Sequence, residues 1–225
     1  MSDTSNRRPL KSRGAAWAQR LAEALARADV SPDVISALSL AFAALGAVAL
    51  LWSGLSSGAG RLFVLAIAAL AIQLRLLCNL MDGLVAVEHG RGSFAGPIWN
   101  ELPDRFADAV FLVAAGYGAQ AAGLRDASAL GWLAALLAVI CAYVRELGRA
   151  LGFPADFSGP MAKPHRMAAL TVAVLVSLVE PAWAWRGESL AIGLAVIALG
   201  TALTIGWRTL RLARRLSALK GEAED

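Results

Sequence analysis

Residues 79–108 read NLMDGLVAVEHGRGSFAGPIWNELPDRFAD. The stretch follows one long apolar run and leads into another. Asp82 and Asp104 stand where hydrocarbon should begin, with the amides Asn79 and Asn100 beside them. On the first run, Arg75, Asn79, Asp82 and Ala86 are spaced by four, three and four. On the second, Asn100, Asp104 and Asp108 are spaced by four and four. Each set therefore falls on one face of a helix. Glu101 sits beside the second stripe, within reach of Asp104 or Arg105. The connection EHGRGSFAG, residues 88–96, joins the two faces. Its glycines, Gly92 and Gly96 among them, allow close approach to a ligand. Two neighbouring helices thus direct a carboxylate and an amide each toward one shared pocket.

The surrounding chain is apolar. Of its 225 residues, 58% are hydrophobic and 17% charged; an ordinary soluble domain carries about 25% charged residues. That balance argues against a soluble globular protein and predicts an all-α integral membrane protein. A bilayer crossing needs about 20 apolar residues. Six runs meet or approach that length: 34–53, 61–86, 101–122, 128–149, 167–185 and 189–210. Helices are expected because a lipid-exposed backbone must satisfy its own hydrogen bonds. The chain then divides into an N-terminal segment, 1–32, a six-helix membrane domain, 33–210, and a basic-then-acidic tail, 211–225.

Within the first segment, residues 13–28, RGAAWAQRLAEALARA, place Trp17, Leu21 and Leu25 at helical spacing. A juxtamembrane helix lying on the membrane surface and a helix packed on the bundle fit this pattern equally. Residues 1–9 and 218–225 are expected to be mobile tails. Cys78 and Cys141 lie in apolar runs and read as packing residues.

Charge distribution orients the chain. Arg7, Arg8, Lys11, Arg13, Arg20 and Arg27 precede the first run, and Arg208, Arg211, Arg214, Arg215 and Lys220 end or follow the last. Arg145, Arg149, Lys163 and Arg166 lie around the fourth-to-fifth connection, while the opposite loops hold one basic residue each, Arg61, Arg125 and Arg186. The positive-inside rule puts both termini, and the opening stretch, on the cytoplasmic side. A bacterial inner membrane is the expected location. The basic residues follow topology, and no nucleic-acid partner is expected.

Ionisable residues in a membrane span cost about 2.5–3.5 kcal/mol each on insertion scales, which makes them functional candidates. Oxygen ligands without His or Cys suit magnesium or manganese rather than zinc. Such ions offset charge during displacement at phosphorus. The candidate ligands are Asp82, Asn79, Asn100, Asp104, Asp108 and Glu101. Gly83 and Ala86 leave room beside Asp82 for a flat group. The competing structural reading is a buried Arg75–Asp82 pair with a helix cap at Asn100.

The stretch resembles the signature of the CDP-alcohol phosphotransferases, membrane enzymes of phospholipid synthesis. That signature reads Asp-x-x-Asp-Gly-x-x-Ala-Arg, eight residues, then Gly-x-x-x-Asp-x-x-x-Asp. Here the positions are Asn79, Asp82, Gly83, Ala86, Val87, Gly96, Asn100 and Asp104, with the same spacing throughout. Asp82, Gly83, Ala86, Gly96 and Asp104 match; Asn79, Val87 and Asn100 depart. Two further echoes are SPDVIS at 31–36, similar to the family's Thr-Pro-Asn-x-x-Thr, and GPMAKPHR at 159–166, similar to a basic loop that meets phosphate.

The resemblance implies transfer of a substituted phosphoryl group from a CDP-linked lipid to an acceptor alcohol, with release of CMP. It implies one or two magnesium or manganese ions, with Asp82 a ligand and Asp104 both ligand and general base. Gly83, Ala86, Gly96 and Arg75 would border the CDP group. Lys163, Arg166 and Arg145 would meet an acceptor phosphate. A homodimer is a further expectation of the resemblance.

The two amides leave three outcomes open. Four Asp would bring −4 to two divalent ions, whereas Asp82 and Asp104 bring −2. An Asn oxygen binds a hard cation without adding charge. Glu101 and Asp108 would make up the difference, or one ion replaces two, or catalysis is lost and a lipid- or nucleotide-binding subunit remains. A small transporter is a weaker alternative, since no inverted repeat of broken helices is visible.

Overall fold

The computed structural model describes residues 14–88 and 96–224. Among the described residues, seven α-helices run in order: α1 (Ala16–Arg27), α2 (Pro32–Leu55), α3 (Gly58–Glu88), α4 (Gly96–Ala121), α5 (Ala127–Ala150), α6 (Lys163–Ser177) and α7 (Glu188–Glu224). A short 3-10 turn, Glu180–Trp183, precedes α7. There is no strand among the described residues. Among the described residues, four helical stretches are long and apolar enough to cross a membrane: Pro32–Leu55, Gly58–Val87, Ala127–Ala150 and Glu188–Leu219. The α4 helix carries Glu101, Asp104, Arg105 and Asp108, and α6 has 15 residues.

Local chemistry sets the helix ends. Ser31 caps α2 by accepting from the Val34 amide, with Pro32 supplying a preset φ at the first position. The fifth expected run, 167–185, becomes α6 plus the 3-10 turn. Its helix starts earlier, at Lys163, and stops at Ser177; Pro181 then lacks the N–H that a continuing helix would need. The expected tail from 218 is instead helical through Glu224, as an extension of α7.

The core is built from close helix crossings. Helix α2 packs along both α3 and α4, α5 joins α4 to α7, and α6 packs on α7 and α3. Leu50, Leu65, Ile72, Phe111 and Leu112 are fully buried where these helices meet. The α2–α4 crossing depends on missing side chains. A Cβ at Gly118 would stand 2.2 Å from the Leu50 carbonyl oxygen, and one at Gly54 would stand 2.1 Å from that of Gly118. Small residues permit such backbone approach in membrane bundles. Outward, Trp52, Leu55, Phe63, Leu70, Leu136 and Leu199 are exposed, an apolar belt of the kind that lipid covers.

Helix α1 packs on α3 through alanines. Ala18 and Ala22 are fully buried against Ile35, Cys78, Met81, Leu84 and Val85. Of the Trp17–Leu21–Leu25 stripe, Leu25 packs against this cluster, while Trp17 and Leu21 remain exposed. Alanine lets the helix axis come closer than Trp or Leu would. Cys78 and Cys141 are free and buried.

Candidate active site

Helices α3 and α4 touch little along their backbones, because α2 lies against both. Their polar faces meet through long side chains. Arg75, fully buried on α3, reaches across to α4. Its Nη2 lies 3.1 Å from Asp104 Oδ1 and 2.8 Å from Asp108 Oδ1. The same nitrogen donates to the Asp104 carbonyl oxygen at 3.1 Å. Asn79, one turn further along α3, donates its amide to Asp104 Oδ1. The Arg75–Asp82 pair of the structural reading does not form. Seven residues of helix separate those Cα atoms by about 10 Å, and Arg75 spends its guanidinium on α4 instead.

Asp82 has a different environment. It is nearly buried, and its Oδ2 accepts a 2.8 Å hydrogen bond from Ser36 Oγ on α2. Its Oδ1 accepts no bond of good geometry, although the Gly83 amide and the charges of Asp104 and Lys163 act on the carboxylate. Gly83 and Ala86 follow it on α3, both half-buried. Gly96 begins α4. The connection containing Gly92, and the side chain of Asn100, lie outside the described residues.

The start of α6 closes the cluster. Lys163 Nζ pairs with Asp104 Oδ2. Arg166 Nη2 lies 3.3 Å from Asp108 Oδ2, and its Nη1 donates to the Met161 carbonyl oxygen. Pro164 follows Lys163 in the first turn of α6, which positions both cations beside the α4 stripe. Glu101 takes no part in this cluster among the described contacts. It pairs with Arg105, one turn away, and with Arg145 of α5 at 2.6 Å. Arg145 also contacts Glu146 and lies 5.6 Å above the Phe157 ring.

Two site-side residues escaped the sequence reading. Ser36 is the last residue of SPDVIS, so the resemblance in that stretch was the signal that marks it. Arg208 is buried on α7 and donates to the carbonyl oxygens of Ser158 and Cys141; only its place among the basic residues was visible. In the 151–162 connection, burial raises the Asp156 pKa. The Ser158 hydroxyl and amide, then Arg211, outweigh that and leave it below the ordinary carboxylate value.

The donor set can be tested against a divalent ion. Among the described residues, no three His, Cys, Asp or Glu side chains cluster in a way that would hold one. Asp104 has both oxygens engaged by nitrogen donors. Among the described residues no cation pairs with Asp82, which takes the Ser36 hydroxyl on Oδ2.

No family model matches the chain, and no curated protein matches it. Solved structures do. Phosphatidylinositol phosphate synthase from Mycobacterium tuberculosis, with CDP-DAG bound, superposes with a TM-score of 0.71 at 22% identity, covering 88% of this chain and 94% of that one. The chain has the same fold. The synthase in complex with manganese and citrate gives 0.70 at 22% identity, covering 87% and 88%. Its apo form gives 0.67 at 22% identity, covering 86% and 94%.

Proposed function

We propose that this chain is a membrane-embedded CDP-alcohol phosphotransferase, which moves a phosphatidyl or similar group from a CDP-linked lipid to an acceptor alcohol. The observation that carries the reading is the meeting of the polar faces of α3 and α4, where Asn79, on the same face as Asp82, donates to Asp104, in a fold shared with a synthase solved with CDP-DAG and with manganese. The signature spacing from Asn79 to Asp104 supports it independently of the fold.

Six spans, with the site and both termini on the cytoplasmic side, complete the reading. The α4 helix then crosses with its carboxylates paired inside the bundle, and the exposed Trp17 and Leu21 of α1 rest in the membrane interface. Magnesium or manganese held by Asp82, with Asn79, would supply charge neutralisation at the CDP pyrophosphate. Gly83, Ala86 and Gly96 border the cytidine. Asp104 accepts the proton of the acceptor hydroxyl as its oxygen bonds to the lipid-bearing phosphorus. The bond from that phosphorus to the bridging oxygen breaks, and CMP leaves with the electron pair. Lys163 orients Asp104 until the acceptor arrives. Lys163, Arg166 and Arg145 are the groups available to an acceptor phosphate.

Purified protein, given CDP-diacylglycerol, magnesium or manganese and a panel of polyols and polyol phosphates, is expected to release CMP. Absence of CMP above background across the panel overturns the reading and leaves a non-catalytic lipid- or nucleotide-binding protein.

A further inference from the structure

We infer that Thr204 of α7 is a positioning residue: by holding the Met161 amide it sets where α6 begins, and with it where Lys163 and Arg166 stand. The inference rests on the transferase reading, in which those two cations are available to an acceptor phosphate, and deepens it. Gly200, Thr204 and Arg208 are spaced by four and four on α7, so they share one face. The turn before α6 lies along that face. Arg208 Nε donates to the Ser158 carbonyl oxygen at 3.0 Å. The Met161 amide donates to Thr204 Oγ1 at 2.9 Å. Met161 packs on Gly200, where a Cβ would stand 2.9 Å from the Met161 Cβ.

Thr204 is fully buried and meets the turn with both branches of its side chain. Its hydroxyl donates to the Gly200 carbonyl oxygen at 2.8 Å, which leaves its lone pairs for Met161. Its methyl lies against Gly159, whose φ of +108° suits glycine and where a Cβ would stand 2.5 Å from Thr204 Cγ2. The carbonyl oxygen of Met161 accepts from Arg166 Nη1 at 3.2 Å. One residue therefore links the α7 stripe to a site cation, and Lys163 follows it by two positions. Ala162, at the N-cap of α6, makes no side-chain cap. The turn, rather than a capping side chain, then fixes the first residue of that helix.

The test compares Thr204→Val, which keeps the shape and loses the hydroxyl, with Thr204→Ser, which keeps the hydroxyl. KM is measured for CDP-diacylglycerol and for the polyol phosphate that gives the fastest CMP release, on the full chain in detergent with magnesium. Thr204→Val is expected to raise the acceptor KM about tenfold, as for a buried amide left without its acceptor, with the CDP-diacylglycerol KM unchanged. Thr204→Ser should restore the acceptor KM. A rise in both constants, a rise in neither, or no rescue by serine overturns the inference and leaves Thr204 a packing residue. So does a protein that uses only unphosphorylated polyols. Should Thr204→Val fail to fold, Gly159→Ala decides, because its Cβ pushes the turn off α7 from the other side. The same acceptor-only rise is expected, and any other pattern overturns the inference. Hydrogen exchange keeps the two readings apart. If the unaltered protein releases no CMP, the transferase reading falls by itself, and exchange of peptides covering 158–166 decides the positioning role. Faster exchange in Thr204→Val than in Thr204→Ser and the unaltered protein upholds it; equal rates in all three overturn it.

Discussion

Ser36 Oγ donates a 2.8 Å hydrogen bond to Asp82 Oδ2, so the first turns of α2 position a carboxylate near the end of α3. The bond leaves Oδ1 pointing its lone pairs elsewhere, without a good donor. Groups that orient a metal ligand in this manner are worth about 10–100-fold in metal affinity. Ser36→Ala is therefore expected to weaken manganese binding by roughly that factor. A manganese titration checks it. Unchanged affinity would make Ser36 a packing residue.

Asp104→Asn keeps the side-chain shape and removes the base. General-base groups contribute about 10²–10⁴-fold to rate. CMP release should fall by at least about 10²-fold, while the protein still elutes as a folded species. Normal turnover in that variant would remove Asp104 from the chemistry.

Glu180 tests the opposite end of the bundle. Its Oε2 lies 2.6 Å from Arg61 Nη2 and accepts from the Gly187 amide, and its Oε1 accepts from the Ser189 amide. Both partners of the ion pair are buried. Removing one partner of a buried pair costs about 3–5 kcal/mol. Glu180→Ala should lower the thermal midpoint accordingly, and CMP release per folded molecule should not change. Thermal scans and activity on the same preparation read both.

Gly118→Ala should force α4 away from α2, since the new Cβ would meet the Leu50 carbonyl oxygen at 2.2 Å. Overpacking of this kind costs about 1–3 kcal/mol. Gly206→Ala is the control, because nothing lies within 4 Å of its Cβ position. It should be neutral or stabilising by up to about 1 kcal/mol. Equal thermal midpoints for the two variants would contradict the close crossing.

The polar faces of α3 and α4 were legible in the sequence, because helical periodicity alone puts Arg75, Asn79 and Asp82 on one side and Asp104 and Asp108 on another. The run lengths marked the helices for the same reason, and the missed ends of α6 and α7 lay where composition changes gradually. The α1 stripe left two readings open, since periodicity finds an apolar face without saying which neighbour will cover it. Partners of each charge were beyond periodicity. Arg75 and Asp104 are 29 residues apart, Lys163 and Asp104 are 59, and Ser36 and Asp82 are 46. Such pairs depend on how helices cross, and glycines such as Gly54 and Gly118 set that distance through a side chain they lack. Sequence by itself determined which faces of α3 and α4 carry Arg75, Asn79, Asp82, Asp104 and Asp108. Only the tertiary structure decided that Asp104 is held by cations while Asp82 takes the Ser36 hydroxyl, because a charge in a low-dielectric interior takes the counter-charge that packing brings within reach.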